Sequence, residues 1–270
     1  MTGKLMKYEL RGCMRIFLPL WVAVLVLSAI NGFTMGNQAT VTGFWPRMIL
    51  FALPAIVLWV LLVGMFVVSL VIIVRRFYNG LLGEGGYFAF SLPATTAQQI
   101  SARLFTACIM QIGCLIAAVL SGVIIFSIQA GNPVFQELKT ILNQAGTFLK
   151  SYPQITLLAV EAVFFLLLCI AEAVLSLYSA MAVGHLASSH RGWLSLAAYL
   201  VMGFVSTSVF SRAGIALGRA TIISTGAETP AEIISYSTKF FGIAICIIVI
   251  ENLLLWLITH TILNKKLNIL

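Results

Sequence analysis

Residues 16–46 contain no charged side chain, and neither do residues 48–74, which Arg47 and Arg75 bracket. A helix needs about 20 mostly apolar residues to cross a bilayer, so each run is long enough to do so. Four more runs follow: 104–128 after Arg103, 155–186, 193–210 and 240–263. Inside a bilayer no water is present to satisfy backbone N–H and C=O groups, so a span must be a helix or part of a closed barrel. Continuous apolar runs, in place of alternating ones, select the helix. Composition agrees: 61% of the 270 residues are apolar and 9% charged, against about 25% charged in a soluble domain. The expectation is a single all-α integral membrane domain over 1–270, with six transmembrane helices over about 16–33, 48–74, 104–128, 155–186, 193–210 and 240–263.

Six spans put both termini on one side. With the termini inside, the inner segments carry ten Lys and Arg residues and the outer ones six. Short cytoplasmic loops are enriched in Lys and Arg, so both termini are expected in the cytoplasm and 75–103 forms a cytoplasmic loop. Lys4, Lys7, Arg11 and Arg15 fall at helical spacing on one stripe, opposite Met6, Leu10, Cys13 and Phe17. That pattern predicts an amphipathic interfacial helix over 3–15 on the cytoplasmic face; an ordinary basic overhang is the plainer alternative. The first apolar run is too long for a secretory signal and has no clear cleavage site, so it reads as an uncleaved span.

Several chemistries are missing from the sequence. No G-x-x-x-x-G-K-[ST] loop is present to cradle a nucleotide, and His185, His190 and His260 are scattered with no zinc-type spacing, so no metal site is expected. All eight acidic residues are Glu, and the net charge of +8 suits anionic headgroups more than nucleic acid. Cys13, Cys108, Cys114, Cys169 and Cys246 are odd in number and lie in or beside apolar runs, which reads as free, buried thiols.

The segment between the second and third spans is too long for a hairpin turn and too aromatic for a solvated loop. Gly80, Gly83, Gly85 and Gly86 free the backbone to turn, and Pro93 stops any helix before it. Thr96 and Gln99 have capping-box spacing for the helix that follows. What remains is a short element from about Glu84 to Leu92 presenting Tyr87, Phe88 and Phe90. Exposed aromatic clusters mark interaction sites; aromatics resting among headgroups are the other reading.

The string RFYNGLLGEGGYFAFSLP, residues 76–93, resembles the R-F-Y-x-x-L-x-G-x-x-G-Y-x-x-x-x-L-P pattern after the second span of ABC-2-type permease subunits of bacterial ABC transporters. The match is dense over these residues and architectural elsewhere. One departure is Gly85-Gly86, where relatives carry one acidic residue before the Gly. The resemblance implies a coupling helix that docks on a separate ATPase subunit through Glu84, Gly86, Tyr87, Phe88, Phe90, Leu92 and Pro93. It further implies a transport subunit that is not an enzyme and binds no cofactor, with ATP and Mg held by the partner. The implied setting is a homo- or heterodimer of permeases with two cytosolic ATPases and lipid around them, in a bacterial inner membrane. Amphipathic peptides, antibiotics or lipid-like molecules would be exported by alternating access.

A charged group at mid-bilayer costs about 2.5–3.5 kcal/mol on insertion scales, which singles out Glu161, Glu172 and Glu251 with its neighbour Asn252. Glu161 and Glu172 are close to three helical turns apart and share a face, with Ser176 and Ser179 near it. Protonated Glu hydrogen-bonded to Ser, Asn or backbone is one reading. The other is a proton relay or cation site, which would make the chain an ion-coupled secondary transporter using Glu172 and Glu251. Residues 211–239 contain a GxxxG pattern, Gly214 to Gly218, and read either as a re-entrant segment or as a plain outer loop. Residues 134–149 form an amphipathic stretch suited to the outer surface.

Overall fold

The computed structural model describes residues 2–36, 43–82, 95–131, 133–151, 153–187, 190–224 and 230–265. All the regular structure among them is helical: α1 (Thr2–Gly36), α2 (Phe44–Arg47), α3 (Leu53–Phe77), α4 (Thr96–Gln129), α5 (Val134–Ser151), α6 (Pro153–Gly184), α7 (Arg191–Ser224) and α8 (Pro230–Lys265). Six helical stretches are long and apolar enough to cross a membrane: Leu5–Met35, Leu53–Leu82, Thr96–Gln129, Ile155–Gly184, Arg191–Arg212 and Ser237–Asn264. Most of their apolar side chains face outward, as in a multi-pass membrane protein.

The expected boundaries shift in instructive ways. Residues 3–15 and 16–33 are one continuous helix, and Pro19 lies inside it. The basic stripe survives: Lys7, Arg11 and Arg15 are exposed, while Cys13 and Phe17 are buried. The second span opens with a π-helical turn, Met48–Ala52, ahead of Pro54 at the second position of α3, and a second π turn, Tyr78–Leu82, extends its far end. Most of 211–239 continues α7 and α8 as helix, up to Ser224 and from Pro230; residues 225–229 lie outside the described residues. Gly214 and Gly218 lower helix propensity without ending the helix, and Pro230 occupies the first helical position, where its missing N–H costs nothing. The amphipathic stretch 134–149 is α5, which leaves Phe135, Ile141 and Leu142 exposed.

The chain divides into two compact units. One holds 6–72 and 109–148. Cys13, Phe17, Val24, Leu58, Met65, Met110, Cys114 and Ala117 form its buried core. Asn31 Nδ2 donates to the Pro54 carbonyl at 3.0 Å, and Ser69 Oγ to Gln111 Oε1 at 3.2 Å. The indole of Trp21 fills the space that a side chain at Gly113 would need.

The other unit holds 1–5, 73–108 and 149–270. Here α6 packs mainly against α8 and also against α7. Its core joins Ile73, Phe77, Leu81, Leu82 and Ile100 to Val174, Tyr178, Ala182, Ile262 and Leu263. The cysteines are free, but only Cys13 and Cys114 are buried; Cys246, on α8, is exposed. The reading of all five as buried is corrected accordingly, because an apolar run does not specify which of its faces is packed.

Candidate functional site

Both groups of candidate residues belong to the second unit. The first is the segment after α3. Glu84, Gly86, Tyr87, Phe88, Phe90, Leu92 and Pro93 lie outside the described residues, and with them the expected coupling helix. Their two flanks are fixed. On the α3 side, Phe77 is fully buried and stacks on Tyr178, with ring centroids 4.0 Å apart and planes 13° apart. Leu81 and Leu82 are also buried. On the α4 side, Thr95 and Gln98 cap the helix reciprocally: Gln98 N–H donates to Thr95 Oγ1 and Thr95 N–H to Gln98 Oε1, each at 3.3 Å. The capping box therefore sits one residue earlier than Thr96 and Gln99. Both pairs have the same spacing in the sequence, and Gln99 is instead buried.

Arg103 ties the flanks together. One guanidinium nitrogen donates to the Arg76 carbonyl at 2.8 Å and another to the Gly80 carbonyl at 3.1 Å. The last carbonyls of a helix have no intrahelical partner, so a cation from the next helix both satisfies and neutralises that end. A Cβ at Gly80 would meet the guanidinium itself. This glycine is thus explained by close approach of a side chain, not by a turn. The sequence marked Arg103 only as a charge flanking a span.

The second group lies along α6, α7 and α8. Ser206 Oγ, on α7, stands 2.7 Å from Glu172 Oε1 of α6 and 3.0 Å from Glu251 Oε2 of α8. A hydroxyl has one proton to donate. Both contacts are hydrogen bonds only when one carboxyl carries a proton and donates it to Ser206, which then donates to the other. Two unprotonated carboxylates would leave one contact repulsive. All three residues line a cavity of about 440 Å³ whose wall also includes Ser176 and Thr207. Asn252 stays at the same level by donating from Nδ2 to the carbonyls of Ile248 at 2.9 Å and Leu168 at 3.3 Å, which pins α8 to α6.

The structure thus brings Glu172 to Glu251. Glu161 is not in this cavity, and its Oε2 is buried with no hydrogen-bond partner among the described residues; the same holds for Asn252 Oδ1. Ser179 turns inward, with its hydroxyl on the Ser176 carbonyl at 3.0 Å and the Met202 sulfur at 3.1 Å. Ser206, the residue that unites the cluster, has no distinguishing signal in the sequence, being one of several Ser and Thr in an apolar helix. Among the described residues, no group of three or more His, Cys, Asp or Glu is placed to hold a metal ion. The cluster can hold a proton between two carboxyls, or accept a hydrogen-bond donor in place of that proton.

No family model, curated protein or solved structure matches the chain.

Proposed function

We propose that this chain is the membrane-spanning permease subunit of an ABC exporter in a bacterial inner membrane, with both termini cytoplasmic. ATP hydrolysis takes place in a separate subunit docked on residues 84–93, and the cargo is an amphipathic peptide, an antibiotic or a lipid-like molecule. The observation that carries this reading is the 76–93 sequence pattern. The rigid frame around its ends supports it: a force applied to the segment reaches α3 through Phe77 and α4 through Arg103, and passes to α6 through Tyr178. A docking segment on a floppy hinge would transmit nothing.

The test is co-purification with the candidate ATPase. Tyr87→Ala combined with Phe88→Ala should leave membrane insertion near wild type while the ATPase is lost from pull-downs or runs uncoupled from substrate. Anchors at the centre of a small interface each cost about 2 kcal/mol or more when truncated. Gly86→Val should act in the same direction by misaiming the segment. Full association and coupled transport in the double variant would sink the proposal, as would nucleotide binding by the isolated chain.

The Glu172, Ser206 and Glu251 cluster favours a second reading, ion-coupled transport by this chain alone, because two carboxyls bridged by a hydroxyl beside a cavity have the parts of a coupling site. Glu172→Gln keeps the hydrogen bonding and removes the titrating group. Loss of transport in that variant, with normal assembly, would select this reading.

A further inference from the structure

A second cavity of the same unit, about 520 Å³, opens where α6 ends and α7 begins. Its wall runs from Leu177 on α6 to His185 just past its end, and along α7 from Arg191 to Tyr199, eight residue steps on each side and so about 12 Å deep. The spans themselves end at Gly184 and begin at Arg191, which places the mouth at the membrane boundary and the floor within the apolar layer. Most of the deeper wall is apolar, with Tyr199 at its far end on α7. His185, Arg191, Ser195 and Tyr78 stand near the mouth, and Leu177, Met181 and Leu196 lie deeper. The volume falls in the range of sites for small amphiphiles, about 300–1,000 Å³.

The charge at the mouth is also one-sided. Among the described residues of the wall, Arg191 is the one permanently charged group, and none is a carboxylate. Its Nε donates to the Ala187 carbonyl at 3.2 Å, a bond that occupies one of five N–H donors and fixes the plane of the guanidinium. The residues that flank Arg191 are closely packed. His190 adopts a left-handed φ of 57°, Ser195 Oγ returns to the Arg191 carbonyl at 2.9 Å, and the absent side chain of Gly184 leaves room for Ser195.

We propose that this cavity binds an anionic phospholipid, with its phosphate on Arg191 and one acyl chain against Leu177, Met181 and Leu196. A guanidinium pairs with phosphate through parallel, charge-assisted hydrogen bonds. A free anion would gain nothing from the apolar depth, and a zwitterionic lipid would find no carboxylate for its ammonium group. The site is separate from the segment proposed to meet an ATPase.

The test uses the purified full chain in a non-ionic detergent without any ATPase. Native mass spectrometry counts retained phosphatidylglycerol, phosphatidylcholine with the same acyl chains, and inorganic phosphate. The wild type should hold phosphatidylglycerol about tenfold more tightly than phosphatidylcholine, the scale of one charge-assisted contact. Arg191→Gln, at an exposed position, should remove that preference. Leu196→Trp fills the deeper half and should weaken phosphatidylglycerol with the charge intact. Circular dichroism confirms that each variant is folded. Equal retention of both lipids by the wild type, an unchanged preference in Arg191→Gln, or full binding in Leu196→Trp would each overturn the assignment. Inorganic phosphate competing as well as the lipid would overturn it too, leaving a site for the head group alone.

Discussion

Phe77 and Tyr178 lie face to face, 4.0 Å between ring centroids, at the point where α3 gives way to the segment that follows it. Both are buried, so the stack joins the end of one span to the last two turns of another. Phe→Ala in a water-soluble core costs about 3–5 kcal/mol. In a membrane the transfer part shrinks because lipid tails are themselves apolar, and packing loss dominates. Phe77→Ala should therefore destabilise by about 2 kcal/mol, and Phe77→Leu by less, as read by unfolding in a mixed detergent titration. A Phe77→Ala protein as stable as wild type would show that the stack does not hold the end of α3.

Gly80→Ala and Arg103→Ala should resemble one another. The first puts a methyl group where the guanidinium sits, and the second removes the guanidinium. Each frees the carbonyls of Arg76 and Gly80, at a cost of about 1.5–3 kcal/mol for a charged donor. Hydrogen exchange at residues 78–82 is the measurement, with faster exchange expected in both and no further increase in the double variant. Additive effects would mean that Gly80 serves some other purpose.

Ser206→Ala leaves two carboxyls without the hydroxyl between them. Interhelical hydrogen bonds in membranes average about 0.6 kcal/mol and reach about 1.7, and the unbridged pair puts this one at the upper end. Glu172→Gln should be nearly neutral for folding, since an amide still accepts from Ser206, whereas Glu172→Leu should be worse. In a double-mutant cycle, Ser206→Ala with Glu172→Leu should show coupling of at least about 0.5 kcal/mol. Strict additivity would dissolve the cluster into unrelated residues.

Burial, and then the charge of Arg191, push the His185 pKa below its ordinary value of about 6.5. The folded state therefore binds this proton less readily than the unfolded one. Above the ordinary value both states are neutral and His185 imposes no penalty. As pH falls through it, the unfolded state gains protons first and stability drops until the folded pKa is passed. Melting temperature should fall between about pH 7 and 5 in the wild type, less steeply in His185→Gln and Arg191→Ala. Identical pH slopes in all three proteins would refute the assignment.

The six spans were legible because a long apolar run with at most two charged residues is a one-dimensional property. The carboxyl cluster was only half legible. Glu172 and Glu251 stood out as costly residues, but helical spacing grouped Glu172 with Glu161, whereas the structure joins it to Glu251 through Ser206. Which face of α6 meets α8 depends on packing along the whole helix, and periodicity within a nearly uniform apolar run carries little of that information. The contact of Arg103 was illegible for a related reason. Its partners are backbone carbonyls, which every residue has, so no side chain in the sequence announces the contact.

The π turn at Tyr78–Leu82 has a consequence for the chain that leaves it. Such a turn takes in an extra residue per revolution, and each residue of an α-helix advances the winding by about 100°. The azimuth of Leu82, the last residue of the turn, is thus set by a single surplus residue, clamped in phase by Arg103 on the Gly80 carbonyl. Removing one residue from this turn would let α3 keep its buried face while its sequel points to a different side of the helix. Lineages of such chains should therefore tolerate substitution here far more readily than a change in length.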